Sequence, residues 1–211
     1  MEAQIKIIKA KKYLITKDEL IEIENIDPES VCIVLSEDAN TDLLKDYLSN
    51  HGFEIEETEV VSYDGADQLS GALLLAGYLS DCNPEAEILI HRDRDYLSDE
   101  EADKVRKKVE SRGFEFFLTR GVDLESAYLN SAHIAELFDL DEADVEEYIS
   151  QATHLAKQKS VNRLLDHWFK NNRPENNAYA KKVRELEQLY QDNQNRYRYG
   201  KKVCGHLASI L

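Results

Sequence analysis

Two acidic segments each follow a short apolar run of the kind that forms a buried strand. Residues 36–38 (Ser-Glu-Asp) come directly after the run 31–35, and residues 91–95 (His-Arg-Asp-Arg-Asp) come directly after the run 88–90. In an open parallel sheet, functional groups lie beyond the carboxyl ends of the strands. Carboxylates gathered at such an edge need a compensating cation, and hard carboxylate oxygens suit Mg²⁺ or Mn²⁺. The pattern therefore predicts a divalent-metal site.

The Asp-x-Asp spacing of Asp93 and Asp95 adds to this prediction. Residues two apart on an extended segment project the same way, so these two carboxylates could share one ion or bracket a pair. Asp123 and Glu125 follow a further predicted strand and would fall on the same edge. The competing interpretation is that these acids are solvated loop residues, with Asp123 and Glu125 favourably placed at a helix N-terminus.

The hydrophobic pattern predicts strands that alternate with helices up to about residue 125. The predicted strands are 31–35, 53–61, 88–90 and 114–118, and the predicted helices are 43–51, 66–79 and 99–111, the last with Ser98 as its N-cap. This alternation is typical of an α/β fold with a parallel sheet covered on both faces. Beyond residue 123 the pattern is helical, with long helices over 141–170 and 179–199.

Charge is distributed unevenly along the 211 residues, whose formal net charge is −16. Residues 1–150 hold 14 Lys+Arg and 37 Asp+Glu, whereas residues 151–211 hold 12 and 5. We therefore expect three parts: strands and a helix in 1–30 joined to the core, a catalytic core over 31–140, and a basic helical region over 141–211. The charge asymmetry indicates two surfaces with different roles, or an acidic body and a basic tail that attract each other.

Several classes of protein are disfavoured by the sequence. No apolar run approaches the roughly 20 residues of a membrane span, and residues 1–6 lack the apolar stretch of a signal peptide, so we expect a cytoplasmic protein without membrane association. The three cysteines are far apart, which argues against a disulfide framework and a zinc ribbon. A phosphate-binding Gly-x-x-x-x-Gly-Lys-Ser/Thr loop is missing, so ATP hydrolysis would come from another polypeptide.

Three segments together resemble a known family. Residues 88–95 (Ile-Leu-Ile-His-Arg-Asp-Arg-Asp) and 123–129 (Asp-Leu-Glu-Ser-Ala-Tyr-Leu) are similar to the Toprim domains of OLD nucleases, and to related Toprim effectors that work beside ABC-type ATPases in anti-phage defence. Residues 200–207, which begin Gly-Lys, resemble the ending of those proteins. The resemblance implies a Toprim, Rossmann-like, mostly parallel sheet flanked by helices with a helical C-terminal region, and an endonuclease acting on DNA or tRNA.

The resemblance also implies roles for individual residues. Glu37, Asp93 and Asp95 would bind Mg²⁺ or Mn²⁺. Glu125 would serve a second ion, and Lys201 would stabilise charge at the scissile phosphate. An ABC-type ATPase would be the partner protein, with a homodimer as a further option.

The first motif departs from the family in two ways. The family usually has Glu-Gly after the first strand, whereas this chain has Glu37-Asp38. A second acid is expected four residues after that Glu, but position 41 is Thr, and the nearest acid is Asp42. We therefore take Asp42 as the remaining candidate ligand of a second ion.

The basic region mixes cationic and aromatic side chains, a combination that suits a phosphate backbone with bases stacked on rings. The expected nucleic-acid-binding residues are Lys181, Lys182, Arg184, Arg196, Arg198 and Lys202. The alternative is that the tyrosines among them pack the helices. We expect packing for Tyr190 and exposure for Tyr197 and Tyr199.

Three other functions stay open from the residues alone. A receiver-like phosphoacceptor signalling module would share the first strand and its acids, but no strand after Leu118 ends in the lysine it needs. A phosphatase would use Asp93 as nucleophile and Asp95 as general acid. A catalytically silent binding subunit of an ATPase complex would need neither, and a nuclease would need both together with Glu37.

Overall fold

The computed structural model describes residues 31–63, 65, 69–172 and 176–211. The strands and helix predicted within residues 1–30 lie outside these ranges. The chain divides into two compact units, the first up to Arg92 with Asp103–Phe117, the second Asp93–Ala102 with Leu118–Leu211. The second unit thus contains residues of both the predicted core and the predicted basic region.

The sheet has four parallel strands, which confirms the predicted α/β class. The strands are β1 (Cys32–Ser36), β2 (Thr58–Ser62), β3 (Glu87–Arg92) and β4 (Glu115–Leu118), in the spatial order β2-β1-β3-β4. Leu35 on β1 lies opposite Val61 on β2 and Ile90 on β3. Ile33, Val34 and Leu35 are fully buried, as expected for a central strand covered on both faces.

Helices make up most of the remaining described residues. They are α1 (Asp42–Ser49), α2 (Leu69–Cys82), α3 (Asp99–Glu110), α4 (Ser131–Phe138), α5 (Glu142–Asn171), α6 (Asn176–Asp192), α7 (Gln194–Tyr197) and α8 (Gly200–Leu207), with 3₁₀ turns at Ile55–Glu57 and Leu124–Tyr128. In the described part of the chain, no helix combines the length and the apolar composition needed to cross a bilayer.

Two predicted elements differ from the structure. The strand predicted over 53–61 begins only at Thr58, because its hydroxyl donates to Glu54 O at 2.8 Å and closes a 3₁₀ turn instead. The helix predicted over 179–199 is interrupted at Asn193, whose side-chain amide donates to Leu189 O at 3.2 Å and caps the last turn of α6. Both cases follow the tendency of short polar side chains to hydrogen-bond nearby backbone.

Helix α5 organises the second unit through one apolar stripe. Val145, Ile149, Ala152 and Ala156 recur at helical spacing, and all are buried in a cluster that α4 and α8 complete. Further along α5, Val161 joins a second cluster, which includes residues of α6 and the segment before α3. The small alanines allow the shorter helices to approach α5 closely.

Helix α3 begins with a capping box, which confirms Ser98 as its N-cap. The backbone N–H of Glu101 donates to Ser98 Oγ at 3.2 Å, and the N–H of Ser98 donates to Glu101 Oε2 at 2.8 Å. Two backbone donors that the helix leaves unpaired are therefore satisfied reciprocally.

We predict that Ser98→Ala lowers the free energy of unfolding by about 1 kcal/mol, because one capping acceptor is lost. The measurement is urea denaturation followed by circular dichroism. Ser111→Ala is the matched control: this serine lies just past the other end of α3, and its hydroxyl donates to Lys108 O at 3.1 Å rather than capping an N–H. A control that is destabilised as much as Ser98→Ala would contradict the capping role.

Candidate functional site

The two central strands end side by side, and hydrogen bonds connect polar groups at their carboxyl ends. Ser36 at the end of β1 lies opposite His91 on β3, and Ser36 Oγ is 3.2 Å from His91 Nδ1. The hydroxyl of Tyr63 donates to His91 O at 3.0 Å. Ser36 and His91 are both fully buried. These contacts hold the carboxyl ends of β1 and β3 together. The strand order reverses at this point, because β2 lies beside β1 and β4 lies beside β3.

Glu37 follows β1 and forms an ion pair with Arg92, the last residue of β3. Glu37 Oε2 lies 3.8 Å from Arg92 Nε, and the two side chains are only 9% and 13% exposed. This arginine was not predicted as part of the site. The register accounts for the pair, since Glu37 and Arg92 come directly after the aligned residues Ser36 and His91.

The Asp-x-Asp motif opens the second unit. Asp93 is 5% exposed, so its carboxyl group is buried. Asp95 adopts a left-handed backbone conformation with φ of +52°, and its N–H donates to Val122 O at 2.7 Å. The expectation that Asp93 and Asp95 lie on one extended segment is therefore wrong, because the chain turns at Asp95. Aspartate tolerates this conformation better than most residues.

Arg94, between the two aspartates, is held at several points. Its backbone N–H donates to Thr119 Oγ1 at 2.8 Å, and its guanidinium contacts the carboxylate of Asp99 in the first turn of α3. The Arg94 side chain is 18% exposed, whereas that of Asp99 is 96% exposed.

Arg196 binds the same loop from the C-terminal region. Its guanidinium donates to Leu97 O at 2.7 Å and to Asp95 O at 3.4 Å. Burial lowers the pKa of Arg196, and repulsion from the like-charged Arg94 lowers it further. Two cations therefore lie at the loop that carries the Asp-x-Asp motif.

Asp123 joins two helix starts in the second unit. Its Oδ1 accepts the Ser126 N–H at 3.1 Å and the Ser126 hydroxyl at 2.6 Å, which caps the 3₁₀ turn. Its Oδ2 accepts the Lys201 N–H at 3.0 Å, in the first turn of α8. Gly200 makes this approach feasible, because a Cβ there would lie 2.1 Å from Asp123 Oδ1.

Glu125 and Lys201, to which the Toprim resemblance gives separate roles, form an ion pair in the structure. Lys201 Nζ lies 3.9 Å from Glu125 Oε1. The thiol of Cys204 donates to Glu125 O at 3.7 Å. Burial, followed by the carboxylates of Asp123 and Glu125, raises the pKa of the Cys204 thiol to about 11. The thiol therefore stays protonated in this negative environment.

Asp42, the remaining predicted metal ligand, lies on the surface of the first unit. Asp42 is exposed at the start of α1, where its N–H donates to Asn40 Oδ1 at 3.0 Å. Among the residues that the structure describes, no three His, Cys, Asp or Glu side chains form a group that could hold a metal ion.

The predicted nucleic-acid-binding residues have unlike environments. Lys181 and Lys182 lie 3.9 and 3.1 Å from Glu185 on α6. Arg198 is buried and donates to Leu129 O at 3.3 Å. Arg184 and Lys202 are exposed. The exposed cations are available to a polyanion, whereas Arg198 stabilises the fold.

The tyrosines of the basic region mainly pack. Tyr190 is fully buried, as predicted. Tyr197 and Tyr199 are half-buried against the second apolar cluster, so the expectation that they are exposed is wrong. The Arg163 guanidinium lies 4.1 Å from the Tyr199 ring centroid and covers it.

We predict that Gly200→Ala lowers the free energy of unfolding by about 1–3 kcal/mol, since the new methyl group would overlap Asp123 and the Ser126 backbone. Gly205→Ala on the same helix is the control. A Cβ at Gly205 meets nothing within 4 Å, so alanine there should stabilise the helix by up to about 1 kcal/mol. Chemical denaturation of both variants tests this, and equal effects would contradict the close approach.

Comparisons with known proteins find no relative. No family model matches the chain, and no curated protein or solved structure matches it. The Toprim resemblance of residues 88–95, 123–129 and 200–207 stays a prediction.

Proposed function

We propose that the chain is a divalent-metal-dependent endonuclease that hydrolyses phosphodiester bonds in DNA or tRNA. One observation carries this proposal: β1 and β3 are the adjacent central strands of a parallel sheet, and each is followed by a carboxylate with little exposure to solvent. Glu37 follows β1, and Asp93 follows Arg92 at the end of β3. The carboxyl ends of strands at such a reversal of strand order are where open α/β sheets bind ligands.

The chemistry of these side chains fits a hard divalent cation. Buried carboxylates need compensating positive charge, and Arg92 supplies one such charge to Glu37. Carboxylate oxygens are the ligands that Mg²⁺ and Mn²⁺ prefer. Glu37, Asp93 and Asp95 are the proposed ligands of the first ion, and Glu125 with Asp42 those of a second. When bound, the metal would lower the pKa of a water nucleophile and stabilise the leaving oxygen.

Lys201 is the proposed electrostatic catalyst. Its backbone is fixed by the hydrogen bond to Asp123, and its ammonium is held near Glu125. A cation positioned in advance stabilises negative charge that develops on a phosphate, because little reorganisation is needed during the reaction.

The net charge of −16 favours a partner protein. A polyanion is repelled by the acidic first 150 residues, so the local cations of α6 and α8, or a basic partner, must supply the attraction. We propose that the chain is a cytoplasmic effector subunit gated by an ABC-type ATPase in anti-phage defence. This step rests on the Toprim resemblance.

A catalytically silent binding subunit is the second candidate. It is favoured by the engagement of the proposed catalytic acids with protein cations: Glu37 with Arg92, and Glu125 with Lys201. In that case the ion pairs would be structural, and the chain would neither bind Mn²⁺ nor cleave nucleic acid.

We predict that Asp93→Asn abolishes Mg²⁺- or Mn²⁺-dependent cleavage of plasmid DNA or tRNA. The loss should exceed the roughly 10–100-fold cost of removing a mere outer-shell partner of a metal ligand. Asp103→Asn is the control, because it changes the charge by the same amount. This exposed acid forms a surface ion pair with Lys107 on α3, at 3.4 Å. Calorimetric titration of Mn²⁺ into both variants should show binding lost only in Asp93→Asn. Equal Mn²⁺ binding by the two proteins would refute the metal site.

We predict that Lys201→Met lowers kcat by about 10²–10³-fold with little change in KM, because charge stabilisation in the transition state is lost. The backbone N–H that donates to Asp123 is retained in this variant. Lys202→Met removes the neighbouring exposed ammonium, which we expect to contact nucleic acid, so KM should rise while kcat stays within about twofold. A comparable loss in both variants would indicate a general electrostatic effect instead.

A further inference from the structure

Arg94 and Arg196 place two like charges at one loop of the second unit. The Arg196 guanidinium donates hydrogen bonds to the carbonyls of Leu97 and Asp95. The backbone N–H of Arg94 donates a hydrogen bond to the hydroxyl of Thr119. Arg94 belongs to the same loop whose carbonyls bind Arg196, and its like charge is one cause of the lowered pKa of Arg196. Two cations held together in this way are stabilised by an anion that neutralises them.

The carboxylate of Asp99 is an anion that already contacts Arg94. Arg94 contacts it while remaining 18% exposed itself, whereas the Asp99 side chain is 96% exposed. Arg94 Nε is buried and, among the described residues, has no hydrogen-bond partner. The arginine is therefore the enclosed member of the pair, and the carboxylate is the member that faces solvent. An exposed ion pair of this kind is weak.

We propose that Arg94 and Arg196 form a phosphate-binding clamp and that Asp99 closes it as a displaceable internal anion. A phosphodiester group of a nucleic acid would replace the Asp99 carboxylate on Arg94, with Arg196 providing the second positive charge. The planar guanidinium suits this ligand, because its parallel N–H donors match two oxygens of one phosphate. Only the choice of a nucleic-acid phosphate rests on the proposed function.

The position of Arg94 in the sequence places the clamp next to the proposed metal site. Arg94 is flanked by Asp93 and Asp95, two of the proposed metal ligands. An acidic metal site repels a polyanion until a cation neutralises the site. An adjacent arginine clamp would hold the nucleic-acid backbone while the metal binds. Asp99 would then lower the affinity of the free subunit for nucleic acid.

The test is a double-mutant cycle on binding, without cleavage. Fluorescence anisotropy of a fluorescein-labelled oligothymidylate is measured in EDTA with Asp99→Asn, Arg94→Gln and the double variant. Asp99→Asn should tighten binding by about two- to fivefold, the factor expected on removing a competing surface ion pair. Arg94→Gln should weaken binding, and Asp99→Asn should give no gain in that background.

Asp103→Asn, one turn further along α3, controls for net charge, because its carboxylate pairs with Lys107 rather than Arg94. Equal tightening by Asp99→Asn and Asp103→Asn would overturn the clamp, and so would a gain that survives Arg94→Gln. Inorganic phosphate is added as a competitor against chloride of equal ionic strength. Competition by phosphate alone would show that a single phosphate group suffices, and its absence would assign the clamp to the nucleic-acid backbone. Because EDTA removes divalent metals, the result is independent of whether the chain cleaves.

Discussion

The carboxylate of Asp123 accepts three hydrogen bonds, and the C-terminal part of the second unit depends on them. Two come from Ser126 and shape the 3₁₀ turn, and one comes from Lys201 at the start of α8. A carboxylate at a helix N-terminus is favoured both by the unpaired N–H groups and by the helix dipole. The same bond fixes where α8 begins, and with it the side chain of Lys201 beside Glu125. A structural cap and a candidate catalytic lysine are thus set by one group.

Charged side chains at the strand ends and in the loops are paired with side chains of opposite charge. Glu37 is matched by Arg92, and Arg94 lies against Asp99. In a chain with 42 acidic and 26 basic residues, cations are the scarcer group, and their placement at these points is informative. Removing one partner of the largely enclosed Glu37–Arg92 pair would destabilise the fold, whereas a pair with one exposed partner, such as Arg94–Asp99, contributes little.

The elements with a strong hydrophobic period were predictable, because burial decides them. Strands β1 and β3 follow from short β-branched apolar runs, and the N-cap of α3 follows from Ser98 with Glu101 three residues later. The 3₁₀ turn before β2 and the break at Asn193 depend on single side-chain hydrogen bonds, which carry no periodic signal. The left-handed turn at Asp95 likewise has no signature in the sequence, since the residue is not glycine.

The site was predictable in a different way. The acids could be located because they follow recognisable strands, and Lys201 became a candidate only through the family resemblance. The ion pair between Glu125 and Lys201 was not predicted. Arg92 becomes visible only through the strand register, since nothing in its neighbours marks it as the partner of Glu37. The role of Asp123 required knowing that Gly200, distant in sequence, approaches it closely.

The environment of Cys204 has a practical consequence for labelling the protein. Its thiol is half-buried, donates a hydrogen bond to a carbonyl and is kept protonated by a raised pKa. Burial also raises the pKa of the Cys32 thiol. Thiolate is the species that reacts with maleimides and iodoacetamides. Cys82, at the end of α2, is exposed. A single fluorophore or spin label can therefore be directed to Cys82 in the unmodified chain, without first replacing the other two cysteines.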